Sequence, residues 1–594
     1  MCGFPVEVIA GMAMVWVGWV IFAAAFLGLG SLLLRILTPP GARWDCSKAF
    51  WCGFGTLILV LQVTNLFSGI GPRTTACIIA LGFCAYFLHR SRLTFLDFRT
   101  VSHWQLLLLL LALVWLSNRA LQAPLLDDSG IYHFSSIRWA NELPLPPGVG
   151  NLHGHLAFNQ SYFLFVAFLN NFPIVGFGHN LANSLLFSAG MLTIFQQSAT
   201  WSATPPVSVA SLHRSRFCFG ILRRLLMPIT LFFLATCNRS NPPFISSPSP
   251  DAAIFIVEVV LTAFLLELLA SQNNSGSDHS TRLTAIICLA FALITLKLSG
   301  LGFVAATLVS VLAFVLRNRS GFSSVKVIKL LVFAGMLIVT WIVRSIIASG
   351  YLVYPLAATG LPVDWKVPEH LVRDELNAIV GWARLPVAQS WKIIGTWDWV
   401  RGWLLRMADR PDIVAPLGLI FICGICWSFF GVRSLRQTDS SVRSLNSLLG
   451  VGLISLAFWF WSAPDPRFLG ASLWIIVLWA VGTTIDLSWP DNRTKISRMI
   501  VLLFWVSVIL TFVRNGLALT TSTGGKWAQS IPPPVLTART TRSGLVVHTP
   551  LPGGYCWDGK LPCTPFFRPQ LKLRGSSLAE GFYLDESIDQ APDF

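Results

Sequence analysis

The chain has 594 residues, of which 54% are hydrophobic and 12% charged, and a formal net charge of +16. So apolar a composition excludes an ordinary soluble domain. The positive excess falls in short segments between apolar runs, which makes it a matter of membrane placement and not of nucleic-acid binding.

Apolar stretches suited to a bilayer, for which about 18 residues are needed, recur along the chain. Fourteen are read: 8–37, 48–68, 75–89, 102–119, 179–199, 220–237, 251–270, 282–297, 299–316, 325–348, 411–431, 443–462, 467–487 and 496–518. The expected fold is an all-α polytopic membrane protein of about fourteen transmembrane helices. The first stretch lacks a basic leader and a cleavage site, so it is read as a span and not as a signal peptide. With the N-terminus outside, the inner loops collect clusters such as Arg35/Arg43/Lys48, Arg90/Arg92/Arg99, Arg317/Arg319 and Arg433/Arg436. The outer loops then hold about one cation each, such as Arg73 and Arg239, which is the positive-inside pattern.

This topology divides the chain into helices over 1–119, an outer loop over 120–178, central helices over 179–348, a second outer loop over 349–410, further helices over 411–518 and an irregular outer tail over 519–594. No Walker-type GxxxxGK[ST] occurs and the inner loops are short, so a nucleotide-binding domain is not expected. No internal repeat of the kind many transporters carry is evident.

In the first outer loop, LLDDSGIYHFSSIRWANEL places Asp127 and Asp128 ahead of a short helix with Ile131, Phe134, Ile137 and Arg138 on one face. Tyr132 and Trp139 suit a helix lying flat at the interface. Asp128 is either an N-cap or a functional group; capping uses one carboxylate and does not explain the pair. After a Pro- and Gly-rich turn, 151–172 returns as a half-buried or re-entrant helix. His153 and His155 stand two apart on this segment, near His133 in the sequence. They are expected either to hydrogen-bond a substrate or to ligate a divalent metal, which needs further ligands; no cofactor motif is present.

In the second outer loop, VPEHLVRDELNAIVGWARLP reads as an amphipathic helix with Leu371, Leu376 and Ile379 on one side. Asp251 follows Ser249 and Pro250, which fit the N-cap and N1 positions. Lys297 and Arg344 are expected at the outer ends of their spans. In PDPRF, Asp465 caps and Pro466 takes N1. Arg467 then opposes the helix dipole and needs a partner, either Asp465 or a phosphate. Of the twelve cysteines, Cys423 and Cys426 form a CxxC inside an apolar run and are read as small hydrophobes. Cys556 and Cys563, in GGYCWDGKLPC on the outer side, are expected to form a disulfide.

The combination resembles the GT-C class of polytopic glycosyltransferases. In that class an acidic motif follows an early span on the non-cytoplasmic side, an interfacial helix comes next, and the donor is a lipid-linked sugar phosphate. LLDDSGIYH is similar to the acidic loop, and PDPRF to the late Arg-aromatic turn near donor phosphate. Here the acidic loop follows the fourth predicted span, where the GT-C pattern places it after the first. The chain as a whole also resembles an uncharacterised family of bacterial integral membrane proteins carrying SSPSPD, TLKLSG, SGY-YP, PDPRF and a CW-PC tail.

The resemblance implies sugar transfer from a polyprenyl-phosphate donor to an acceptor at the outer face of a bacterial inner membrane, with both termini outside. Asp127 or Asp128 is then the general base. Arg467, with Lys297 or Arg344, neutralises the leaving phosphate. Tyr132, His133 and His155 orient the sugar or acceptor. Membrane lipids and a lipid-linked sugar are the expected partners. The competing expectations are a transporter or flippase for a lipid-linked glycan and a non-catalytic assembly factor.

Overall fold

The computed structural model describes residues 5–96, 101–202, 210–236, 244–271, 278–317, 324–386, 392–430, 440–487, 493–515 and 519–585. Of the basic residues read as loop cations, Arg99, Arg239, Arg319, Arg433 and Arg436 lie outside these. The structure is mainly helical. The first four helices are α1 (Val6–Leu37), α2 (Cys46–Phe67), α3 (Pro72–His89) and α4 (His103–Arg119). The acidic loop leads to α5 (Phe134–Glu142) and α6 (Ser161–Leu169). The central group is α7 (Gly178–Ser202), α8 (Ala210–Thr236), α9 (Pro250–Ala270), α10 (Asp278–Leu296), α11 (Leu301–Arg317) and α12 (Ser324–Ser349). There follow α13 (Glu369–Arg384), α14 (Trp399–Ala408), α15 (Pro411–Phe430), α16 (Ser440–Ser462), α17 (Ser472–Leu487) and α18 (Arg493–Arg514).

Among the described residues ten helices are long and apolar enough to cross a membrane, and by composition the chain is a membrane protein. The four other expected spans, 75–89, 102–119, 179–199 and 467–487, also form helices, but they fall short of that standard. α4 has 17 residues and α17 has 16, fewer than a straight crossing needs. α7 is long enough, but His179, Asn180, Asn183 and Ser184 lower its hydropathy, and these polar groups are buried against protein.

Packing is tightest where α1 meets α2 and α3. A Cβ on Gly30 would overlap the Ala49 carbonyl, and one on Gly53 the Phe26 carbonyl. Glycine is needed there because the backbones touch, the usual way for apolar helices to gain contact without a hydrophobic driving force. α9 is the central helix, buried along almost its entire length. α6, expected half-buried, has all nine residues buried and lies among α2, α5 and α7.

The two carboxylates that interrupt α9 are both engaged. Glu258 accepts from the Ala471 amide at 2.6 Å, just ahead of α17, where a carboxylate complements the positive helix end. Glu267, toward the other end of α9, pairs with Lys48 at 3.0 Å and Arg282 at 2.7 Å. Lys48, read as a loop cation, is therefore drawn with Arg282 into the bundle at the end opposite the acidic loop.

The tail carries two antiparallel hairpins, β3 (Leu536–Thr540) with β4 (Val546–Pro550) and β5 (Leu571–Leu573) with β6 (Phe582–Leu584). A short parallel pair, β1 (Trp44–Asp45) and β2 (Leu93–Thr94), precedes them in the chain. Cys556 and Cys563 are disulfide-bonded, with Cα atoms 6.0 Å apart. Cys423 and Cys426 are free thiols.

The tail corrects the expectation that Tyr132 and Trp139 sit at a membrane interface. It covers α5 instead. Phe582 donates its amide to the Pro147 carbonyl at 2.8 Å, Trp139 meets the Phe582 ring edge-on, and Tyr132 and Trp139 are both buried.

Candidate functional site

The expected helix of 129–143 is split. Ser129–His133 form one π-helical turn and α5 begins at Phe134. Such wide turns recur at functional positions. Asp128 already has helical φ and ψ and caps nothing. Its carboxylate instead accepts from Arg467 Nη1 at 2.9 Å, across 339 positions of sequence.

Arg467 is aimed by its own turn. Asp465 accepts from the Arg467 amide at 3.0 Å, Pro466 supplies the fixed φ of the first position, and Asp465 also lies 3.5 Å from the guanidinium. The two expected partners were Asp465 and a phosphate. The structure adds Asp128 as the closer one.

A second pair stands beside the first. Lys297 lies in the extended break between α10 and α11 and pairs with Asp251 in the first turn of α9. Ser249 caps α9 and Pro250 follows it, as the sequence suggested. The Phe468 ring links the pairs, with Lys297 Nζ 4.3 Å and the Arg467 guanidinium 5.3 Å from its centroid. Four segments far apart in the chain thus bring Asp128, Asp251, Lys297, Asp465 and Arg467 together.

Burial opposes the charge on Asp128, but the Arg467 cation, with Lys297 beyond it, outweighs this and holds its carboxyl below the usual range. Burial likewise disfavours the cation at Arg467, and Asp128, Asp251 and Asp465 more than compensate, so its pKa is raised. The Asp128 side chain is 33% exposed and that of Arg467 19%.

Asp127 is exposed and accepts from the Tyr555 hydroxyl at 2.8 Å. Tyr555 precedes the disulfide, and the Trp557 amide donates to the Gly130 carbonyl at 2.9 Å. The small disulfide loop therefore sits directly on the acidic turn. Sequence reasoning missed Tyr555, because nothing local links 555 to 127; its place beside a disulfide-forming cysteine was the one available signal.

Tyr132, His133 and His155 lie together, with the Tyr132 ring 4.5 Å from that of His133 and 4.9 Å from that of His155. Burial pushes His133 down to about 3, with Lys297 and Arg467 adding to the effect against Asp128, so the imidazole is neutral. Ser129 Oγ lies 3.1 Å from its Nδ1. Burial raises the Tyr132 hydroxyl well above its ordinary range, and the Asp128 and Asp251 carboxylates add to this. His155 faces Glu375 of α13, Nδ1 to Oε1 3.4 Å, a partner the sequence reading did not include. His153 is 2% exposed, with its ring 4.9 Å from that of His155. Among the described residues no group of three or more His, Cys, Asp or Glu side chains is arranged to hold a metal ion.

Arg344 does not join this network. Its hydrogen bonds go to Asn65, Asn159 and the Gln62 carbonyl.

Fold and site together define a helical protein of membrane composition with paired charges gathered at one end of its bundle, under a disulfide-pinned tail. The chain belongs to the family described as Domain of unknown function (DUF8201), whose pattern matches residues 12–474. Asp128, Asp251, Lys297 and Arg467 lie within the matched stretch, and Tyr555 beyond it. No curated protein and no solved structure matches the chain.

Proposed function

We propose that this chain is a GT-C-like membrane glycosyltransferase that moves a sugar from a polyprenyl-phosphate donor to an acceptor at the outer face of a bacterial inner membrane. The observation that carries the reading is the contact between Asp128 and Arg467, with Lys297 alongside. It supplies an acidic group and two cations within one small volume, the set that transfer from a phosphate leaving group requires. The distribution of basic residues supports a topology with both termini outside.

In this mechanism the roles of the two aspartates divide. Asp128, held ionised by Arg467, is a weak base and serves to position the guanidinium. Asp127 is exposed and steadied by Tyr555. It takes the proton of the acceptor hydroxyl as that oxygen attacks the anomeric carbon. The bond from that carbon to the phosphate oxygen breaks, and Arg467 and Lys297 take up the charge left on phosphate. Tyr132 and His155 line the approach, and neutral His133 holds the turn through Ser129.

The test is a transfer assay with purified protein and lipid-linked sugar. Asp127→Asn is expected to lower kcat by about 10²–10⁴-fold. Full activity in Asp127→Asn overturns the base assignment, and full activity in Asp128→Asn as well overturns the role of the acidic pair.

One alternative has its own support. The charges pair with one another, and the cavity beside His155 measures about 50 Å³, too small for a sugar; both features suit a non-catalytic assembly factor. A flippase or transporter has less, since mid-helix Glu258 is already taken by a backbone amide. Lipid-linked intermediates compared with and without the gene separate the three. Accumulated donor marks transfer, donor retained on the inner leaflet marks flipping, and no change in either pool marks assembly.

A further inference from the structure

Arg344 is 4% exposed near the C-terminal end of α12, and among the described residues it has no carboxylate in ion-pair range. Its donors meet neutral oxygens only: Asn159 Oδ1 at 3.2 Å, Asn65 Oδ1 at 3.1 Å and the Gln62 carbonyl at 3.5 Å. These satisfy hydrogen bonds but not charge. A buried guanidinium without a counter-charge is costly in a protein interior and more so at membrane depth.

Arg344 lines the cavity of about 50 Å³, together with Trp139, His155, Asn159 and Gln160. Three polar atoms of these lining residues are buried without a hydrogen bond: Trp139 Nε1, Gln160 Oε1 and His155 Nδ1, the last 3.4 Å from Glu375 Oε1. Unpartnered polar atoms are rare in native interiors and call for a specific explanation. Here a donor, an amide that can turn to present its NH₂ and an uncompensated cation surround one hollow. Its volume suits about four waters or one phosphate group.

We infer that this cavity is an anion site for a phosphate oxyanion, with Arg344 as counter-charge and Trp139 and Gln160 as neutral donors. Phe163 and Leu164 complete the wall and suit the ester side of a phosphate carried on a lipid; free phosphate shares the same chemistry. None of the Arg344 contacts involves Asp128, Lys297 or Arg467. The site therefore stands whether or not the chain transfers a sugar.

The test uses the full-length protein in phosphatidylcholine nanodiscs. One arm titrates inorganic phosphate by calorimetry. The other adds phosphatidic acid to the nanodisc and reads retained lipid by native mass spectrometry. Saturable binding in either arm is expected, and the arm that shows it identifies the source. Arg344→Gln is expected to weaken binding about tenfold or more, as loss of a charge-assisted hydrogen bond does. Trp139→Phe removes one donor while keeping the ring, so it remains informative if Arg344→Gln does not fold; it should weaken binding about threefold. Arg467→Gln should leave binding in place. The inference is overturned if wild type binds neither probe, if Trp139→Phe binds as wild type does, or if Arg467→Gln abolishes binding while Arg344→Gln does not.

Discussion

Asp128 keeps its charge in a half-buried site chiefly because Arg467 stands against it, and the guanidinium is in turn stabilised by that carboxylate. Asp128→Asn leaves the guanidinium with Asp465 as its near carboxylate. The pair is only partly buried, so the cost should be about 1–3 kcal/mol, below that of a fully buried pair. Thermal unfolding in detergent reads this. In a double-mutant cycle with Arg467→Gln, additive losses would show that the two side chains do not interact. The pH dependence follows from the same neighbourhood. His133 titrates at about 3 in the fold against an ordinary 6.5. The unfolded chain therefore takes up a proton below about 6.5 that the folded chain refuses, and stability falls as pH drops from about 6.5 toward about 3. Depressed Asp128 acts lower: its contribution is complete above the ordinary carboxylate value of 3.8 and is lost beneath it. His133→Gln should flatten the upper part of the decline, and unfolding curves that stay parallel at every pH would refute the assignment. The cap at Asp465–Pro466 was legible because its bond closes over two residues. The partner of Asp128 was not, since no local rule reaches across the chain.

Two glycines show how the elements depend on one another. Gly470 sits at φ +58°, and a Cβ there would overlap Glu258 Oε2. Gly470→Ala should therefore cost about 1–3 kcal/mol, through backbone strain and displacement of the carboxylate from the start of α17. Combined with Glu258→Ala it should cost less than the sum, and strict additivity in thermal unfolding would contradict this. A Cβ on Gly130 would come within 2.7 Å of Tyr555 Cβ and 3.0 Å of Trp557 Cε2. Gly130→Ala should lift the disulfide loop from the acidic turn, read as faster tryptic cleavage at exposed Lys560; unchanged cleavage would speak against the docking. Helix existence was legible from hydropathy along most of the chain, and amphipathic α13 from its spacing. The burial of α5 was not, because its cover arrives from a distant tail whose strands, such as the three-residue β6, are too short to announce a partner.

At the scale of the whole molecule, the bundle places charge at both ends of its core, Glu267 with Lys48 and Arg282 at one and the Asp128 network at the other. The proposed orientation puts the second end and the tail outside. A cysteine at exposed Ser576 (Ser576→Cys) should react with a membrane-impermeant maleimide on intact cells, above the background of the unsubstituted protein. Labelling only after lysis would invert the topology. The helical class and its broad division into helices and loops were open to sequence reasoning, since both follow from composition. The meeting of the four segments that build the charge network depends on tertiary packing, which composition does not encode. That meeting also imposes an order of assembly. The 339 positions between Asp128 and Arg467 mean that a growing chain inserts the carboxylate long before its guanidinium has been synthesised. Until the α16–α17 turn is in place, Asp128 lacks the guanidinium that holds it in the finished fold, so the site closes only after most of the chain has been made.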